Sequence, residues 1–441
     1  MKIFKRFFGL ALRNAGAHWA YMFSGGFGIV AAFIGLTLFR LYIFDAKNAI
    51  RSVFQERMMM GDFLIVNSKE AKTAPIDLRR SRFSQTEVGE IFSSLKSFKN
   101  PPSFEMRVLY GAGMISTESY ETPFMGRGVD LAAGVRLRGE KWQWDTIAGP
   151  PLHLSQGRNS IAIGRGLADL LNCKVDQRNS REITGDGFIA RERPFICSQA
   201  EATVQLPAAD GRMNKSTAQI TSIVDGIFQD LDSVMLATSL ETMQMFLETT
   251  DISYFAVKAP DGVILENYIE EISKLLVGNK IDATAIKWSD SKEGDLFNRA
   301  CTILDSYYYL VGIMLSLLTC ASLYYGFRKM TAERAKEWAI LQSLGFSRNN
   351  VAILIFLEAT IIVALSMLIA VGSSIALSKW INSLDIWYQV GGLSYDIPFR
   401  IGFSQLIFIE NSIFFLSIAA CSVILAAWMT LRSPFVEGFQ N

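Results

Sequence analysis

The chain has 441 residues but only two histidines, His18 and His153, which lie far apart. Five cysteines add no Cys/His grouping with metal-ligand spacing, so no resident metal is expected. They are also too scattered for a disulfide scaffold. Cys301, Cys320 and Cys421 fall in or beside apolar runs, while Cys173 and Cys197 fall in a polar region. There the two can pair if that region faces an oxidising compartment, or stand as two separate buried thiols. No stretch reads G-x-x-x-x-G-K-[ST], so the chain itself is expected neither to bind nor to hydrolyse ATP, and no cofactor of its own is expected. The Gly-rich bits at 111–113 and 126–128 lack the following Lys-Ser/Thr and read as turns. His153 has no nucleophile around it, and no catalytic constellation stands out. A net charge of only +1 makes no case for a nucleic-acid partner.

Apolar sequence is what the chain has in excess: half of the residues are hydrophobic, gathered mainly into four long runs. Residues 1–16 alternate Lys2, Lys5, Arg6 and Arg13 with Phe4, Phe7, Phe8 and Leu12, which suits a cytoplasmic amphipathic helix lying on the membrane. A signal peptide is the competing reading, but the apolar run that follows is too long and has no A-x-A-type cleavage site before Arg40. Membrane helices are expected at 17–44, 303–327, 351–378 and 403–432. Between the first two lies a polar insertion, 45–302; a segment at 328–350, a short outer loop at 379–402 and a tail at 433–441 complete the chain. Lys and Arg cluster beside the runs on one side, which places both termini in the cytoplasm and the insertion outside it. The expected fold is an α-helical four-helix transmembrane domain with a large α/β extracytoplasmic domain inserted between helices 1 and 2.

Within the insertion, 61–68, 104–110, 195–206, 217–228 and 253–259 read as strands, and 160–172 as a strand turning into a helix. A helix over 240–247 has a capping-box start at Thr238 and Glu241, and one over 265–276 carries the stripe Leu265, Ile269, Ile272 and Leu276. The polar stretches around 69–86 and 174–193 read as loops.

The segment 328–358, RKMTAERAKEWAILQSLGFSRNNVAILIFLE, lies between two membrane runs yet is patterned like structure. Thr331 suits a helix cap, and Glu333 then falls in the first turn. Ala335, Trp338, Leu341 and Leu344 recur at a spacing of three, Gly345 is placed to end the helix, and Ser347 to cap the next. Glu358 and Glu410 close off charge-free runs, so each is expected at a membrane boundary, Glu410 simply as an interfacial acid.

The run EWAILQSLGFSR at 337–348, with Glu358 ten residues on, resembles the E-I-A-I-L-R-A-L-G-A-S-R signature of FtsX-like ABC transporter permeases. IAIGRGLADLLNCKV at 161–175 extends that resemblance. ITSIVDGIFQDLDSVMLATSLETMQMFL at 220–247 and WSDSKEGDLF at 288–297 are similar to the lipoprotein-releasing members, whereas Glu358-Ala359 stands where those members carry Gln-Gly. The resemblance implies a bacterial inner-membrane permease whose elbow receives force from an ATPase through Glu333, Glu337, Trp338, Leu341, Leu344, Gly345 and Arg348. Packing of the same stripe on the membrane helices is the alternative. Glu358 would hold the elbow to the bundle, with Arg334 or Arg348 as its partner. The partners implied are a dimer of ABC ATPase subunits carrying the ATP and Mg, a second permease that is identical or related, a periplasmic carrier or adaptor, and membrane lipids. Lipoprotein release is the activity implied first; macrolide-exporter-like efflux and regulation of a cell-wall hydrolase are the alternatives.

Overall fold

In the computed structural model, residues 19–432 are described apart from 70–75, 80, 119, 140, 141, 143, 156, 158, 177, 178, 186, 187, 209, 210, 227, 228 and 390–395. The amphipathic helix expected at 1–16 and the tail at 433–441 lie outside the described residues. Two units share the chain: a helical one drawn from residues up to 47, 301–387 and from 398 onward, and an α/β one formed by 48–300 with 388–397.

The first long helix, α1, runs Trp19–Ser52. In the α/β unit follow β1 (Phe63–Asn67), α2 (Gln85–Ser97), β2 (Phe104–Ser116), β3 (Glu121–Val129), α3 (Leu131–Arg138), β4 (Thr146–Ala148), β5 (Ser160–Gly164) and α4 (Arg165–Leu170). Next come β6 (Cys173–Val175), β7 (Arg181–Gly185), β8 (Phe188–Glu192), β9 (Phe195–Cys197), β10 (Glu201–Pro207), β11 (Met213–Val224) and β12 (Met235–Ser239). The unit ends with α5 (Leu240–Phe246), β13 (Tyr254–Lys258), α6 (Leu265–Gly278) and β14 (Ala283–Lys287).

β1 reads FLIVN and is buried at every position, as a strand covered on both faces should be. Its neighbours are antiparallel β13 and β14, and β13 pairs in turn with β2. β1–α2–β2 and β13–α6–β14 thus form a split βαβ pair, the sheet order being β2-β13-β1-β14. The apolar stripe of α6 explains its seat: Ile272 and Leu276 are buried in the core with Leu265 and Ile269 packed against it. Residues 117–253 are spliced into this frame. Long β2 carries them, pairing with β13 near its start and with β10 near its end. Since β10-β11-β5-β12-β3-β2 already follow one another, the β10–β2 pairing closes six strands on themselves.

Three local expectations are corrected. The glycines at 111–113 and 126–128 are not turns; they sit in β2 and β3, with Gly111 facing Gly126 across the ladder. Met243 of α5 lies on three of them: a Cβ at Gly128 would meet the Met243 Cβ at 2.3 Å, and one at Gly111 or Gly126 its side chain at 3.0 and 2.7 Å, while a Cβ at Gly113 would run into the backbone oxygen of Gln205 at 2.0 Å. The cap of α5 is Ser239, whose Oγ accepts from Thr242 N, whereas Thr238 donates to Ser160 O at 2.8 Å. The stretch 174–193, read as loop, contains the hairpin β7–β8.

Asp77 ties its segment to the start of the next helix, accepting from Lys292 Nζ at 2.8 Å and from Arg79 Nε at 3.1 Å. Burial alone would raise its carboxyl, yet these hydrogen bonds lower it from an ordinary 3.8 to about 2. A carboxyl lowered in the fold stabilises above its unfolded value and loses that contribution as pH falls through the folded one. Asp77→Asn is therefore expected to cost about 2 kcal/mol at pH 7, from about 1.4 kcal/mol per pKa unit, and progressively less between pH ~4 and ~2. Thermal unfolding of the two proteins across that range checks it.

Candidate functional site

The long helix α7 (Lys292–Glu333) runs on through Thr331, so Thr331 does not begin the elbow and Glu333 closes α7 instead of opening a helix. After Gly326 the stretch FRKMTAE has no Gly or Pro to stop the helix, and Lys329 and Glu333 pair one turn apart at 3.9 Å. The break comes at Arg334, with φ −97° and ψ 16°. Helix α8 (Ala335–Ser343) follows, then α9 (Arg348–Ser383) and α10 (Gln405–Arg432). Together with α1, the helices α7, α9 and α10 make four that are long and apolar enough to cross a membrane.

The turn from α8 to α9 is built from the two residues the sequence marks. Gly345 takes φ +93°, a left-handed conformation that side chains resist. Its N–H reaches Gln342 O at 3.0 Å, and that of Phe346 reaches Leu341 O at 3.1 Å, the paired bonds of a Schellman motif. Ser347 Oγ then accepts from Asn350 N at 3.3 Å and starts α9.

Arg334 turns inward and is only 5% exposed. Its Nε donates to Glu337 Oε2 at 2.7 Å and its Nη1 to Glu358 Oε2 at 2.5 Å. The guanidinium carbon lies 4.4 Å from the centre of the Trp338 ring. One side chain thus joins α8 to α9 through two carboxylates and an aromatic face. Burial opposes the guanidinium's charge, but the hydrogen bonds to Glu337 and Glu358 outweigh it and raise the pKa. Glu358 is 2% exposed, so it is an interior acid of the helical unit.

Trp338 is 0% exposed and packs in one cluster with Leu323, Val351, Leu354 and Ile355. It therefore leaves the set of outward-facing residues, and Leu341, packed against the same cluster, is half withdrawn from it. What α8 shows outward is Lys336, Glu337, Ile340 and Leu344, with Ile340 60% and Leu344 72% exposed. Positions 336, 340 and 344 share one face because they are a turn apart. Phe346 stands beside them, 37% exposed. Glu333 is exposed at the end of α7, and Arg348 is the first residue of α9.

Sequence reasoning missed a second polar cluster in the helical unit. Asn411 of α10 accepts from Arg40 Nη1 at 3.1 Å and from Tyr308 OH at 3.5 Å, and donates to Thr37 Oγ1 at 3.1 Å. Arg40 also pairs with Glu410, which gives that boundary acid a partner. The signal was available as polar side chains within apolar runs, Thr37 and Asn411 among them. In the α/β unit, Cys173 and Cys197 face each other in the β6–β9 ladder and are joined, S–S 1.98 Å.

Removing one member of a buried ion pair leaves the other uncompensated, at a cost of about 3–5 kcal/mol. Glu358→Leu and Arg334→Leu are each expected to destabilise the helical unit by about 3 kcal/mol. Arg334→Leu combined with Glu358→Leu is expected to recover most of that loss. Thermal unfolding of the singles and the double in detergent checks the coupling; strictly additive losses would mean that the two residues act independently.

Residues 309–435 match the family model described as FtsX-like permease C-terminal. No curated protein matches the chain. Among solved structures, the extracellular domain of the noncanonic ABC-type transporter YknZ from Gram-positive bacteria matches at 9% identity and TM-score 0.31, over 51% of this chain and 99% of that one. The periplasmic region of MacB from Actinobacillus actinomycetemcomitans matches at 10% identity and TM-score 0.32, over 54% and 91%. The elbow, its buried Arg334–Glu358 pair and the two helices that follow all fall within the matched stretch, so this part of the chain is similar to the C-terminal region of FtsX-like permeases.

Proposed function

We propose that this chain couples ATP hydrolysis on a separate ABC ATPase dimer to movement of its own α/β unit. The observation that carries the proposal is the division of labour within α8. One face is locked into the helical unit through Arg334, Trp338 and Glu358, and the other presents exposed Ile340 and Leu344. A helix so built has no need of its outer apolar face for its own packing, and it cannot be pushed without moving α9. In this reading ATP closes the ATPase dimer, the dimer shifts α8, and the helices carry the shift to the α/β unit.

Orientation follows from charge. Between Arg328 and Arg348 five basic residues stand against two acidic ones, which favours the cytoplasmic side for the elbow and the outside for the α/β unit, in what this reading takes to be a bacterial inner membrane. A disulfide between Cys173 and Cys197 accords with an oxidising exterior. A second permease, identical or related, completes the transporter. Lipoprotein release is the activity favoured by the sequence at 220–247 and 288–297. Efflux through periplasmic partners is the second reading, favoured by Glu358, whose carboxylate a Gln at that position would not replace in the ion pair with Arg334.

The docking face makes the reading testable. Burying an exposed Leu or Ile side chain is worth about 1.5–3 kcal/mol, so a charge placed there should cost at least about tenfold in affinity. Leu344→Asp and Ile340→Asp are each expected to abolish co-purification with the ATPase subunit while the permease still inserts and folds. Recovery of the complex at wild-type yield from both variants would place docking elsewhere.

A further inference from the structure

Inside the α/β unit, between β2, β3, β12, α3 and the segment Arg57–Met59, lies a cavity of about 170 Å³. Its walls are mainly apolar and rich in methionine, with Met58, Met59, Met125 and Met235 among them. Methionine walls adapt to the shape of what they hold. Set into these walls are four arginines, Arg57, Arg79, Arg127 and Arg138, which is unusual for so apolar a space.

The charges do not balance within the cavity. Arg57 faces two acids, Asp145 at 2.8 Å and Asp225 at 3.5 Å. Arg79 shares Asp77 with Lys292. That leaves Arg127 and Arg138 with Glu293 as the remaining acid of the lining. Arg127 spends Nη2 on Met59 O at a long 3.4 Å. Its Nε, the Nε of Arg138 and Oε2 of Glu293 are buried with no hydrogen-bond partner among the described residues. Burial pulls the Arg138 guanidinium below its ordinary range, and Asp145 opposes that against the repulsion of Arg127 and Arg57. Buried donors of this kind carry a desolvation penalty that a matching acceptor would lift.

We propose that this cavity binds one small monocarboxylate with a compact apolar body, its carboxylate directed to Arg127 and Arg138 and its body lying among the methionines. Size sets the body: an apolar cavity of about 150 Å³ holds benzene. Charge sets the head, since the lining has one cation in excess and not two, which favours a monoanion over a phosphate dianion. Geometry agrees, because the guanidinium fork matches a carboxylate with two parallel hydrogen bonds. The proposal does not depend on the permease reading, and it gives the α/β unit a ligand of its own. A free organic acid and the carboxyl end of a larger apolar chain share this chemistry.

The test uses the full chain in detergent with benzoate as probe, read by isothermal titration and by thermal shift. Benzoate is expected to bind at one saturable site with Kd below about 1 mM, and both benzyl alcohol and phenylphosphonate at least about tenfold more weakly. Arg127→Gln and Arg138→Gln are each expected to weaken benzoate at least about tenfold, while Glu293→Gln, which removes the competing carboxylate, is expected to tighten it. That last sign separates a binding role from a structural one. Octanoate supplies the second arm: binding tighter than benzoate would identify the end of a longer chain as the occupant, and weaker binding a free compact acid. Benzoate binding no tighter than benzyl alcohol, or unmoved by both arginine substitutions in proteins that unfold at the wild-type temperature, overturns the proposal.

Discussion

A charge withdrawn from water must be met by an opposite one, and in the helical unit that condition joins Arg334 to Glu358. The pair lies across the angle between α8 and α9, so the angle cannot open without stranding two charges in an apolar interior. Trp338 reinforces it by placing its ring under the guanidinium and its bulk among the α9 side chains. Lysine would not substitute, because only a planar fork can serve Glu337 and Glu358 while stacking on an indole. The short helix is thereby a rigid handle on α9, not a flexible loop between spans.

The rest of the helical unit is organised in a similar way. Arg40, Tyr308, Glu410 and Asn411 tie α1, α7 and α10 by hydrogen bonds. On α7, Tyr308 stands 25 residues before Glu333, about 38 Å of helix at 1.5 Å per residue. Between these two polar ties the helices meet mainly through apolar side chains, such as Phe33 against Phe415 at 5.6 Å. Apolar packing resists separation but specifies rotation and register weakly, whereas the polar ties specify both. Motion applied at one tie is thus expected to reach the other as a displacement of whole helices.

Much of this was legible in the residues themselves. Gly345 and Ser347 announced the turn because few other residues suit a left-handed cap and a helix start, and local chemistry decides such positions. The long apolar runs announced the four helices, though α1, α7 and α9 run past their expected ends, since polar helix formers such as RKMTAE continue a helix as readily as they leave it. What could not be read was which face of a short helix is covered. Trp338 and Leu344 occupy the same spacing-of-three series, yet the first is sealed in the core and the second lies bare. Tertiary packing alone separates them. The glycines of β2 and β3 were opaque for a related reason: their causes are Met243 and the Gln205 backbone, both far along the chain. The six-strand closure rests on the β10–β2 pairing, a long-range register with no local signature.

The central claim is that α8 transmits force through Arg334. Its most direct test is a distance measurement on the assembled transporter, with spin labels on the α/β units of two permease copies and Arg334→Leu set against wild type. The account predicts that the Arg334→Leu complex still hydrolyses ATP while the ATP-driven change in the inter-label distance is largely lost. A change of wild-type amplitude for each ATP hydrolysed would contradict it.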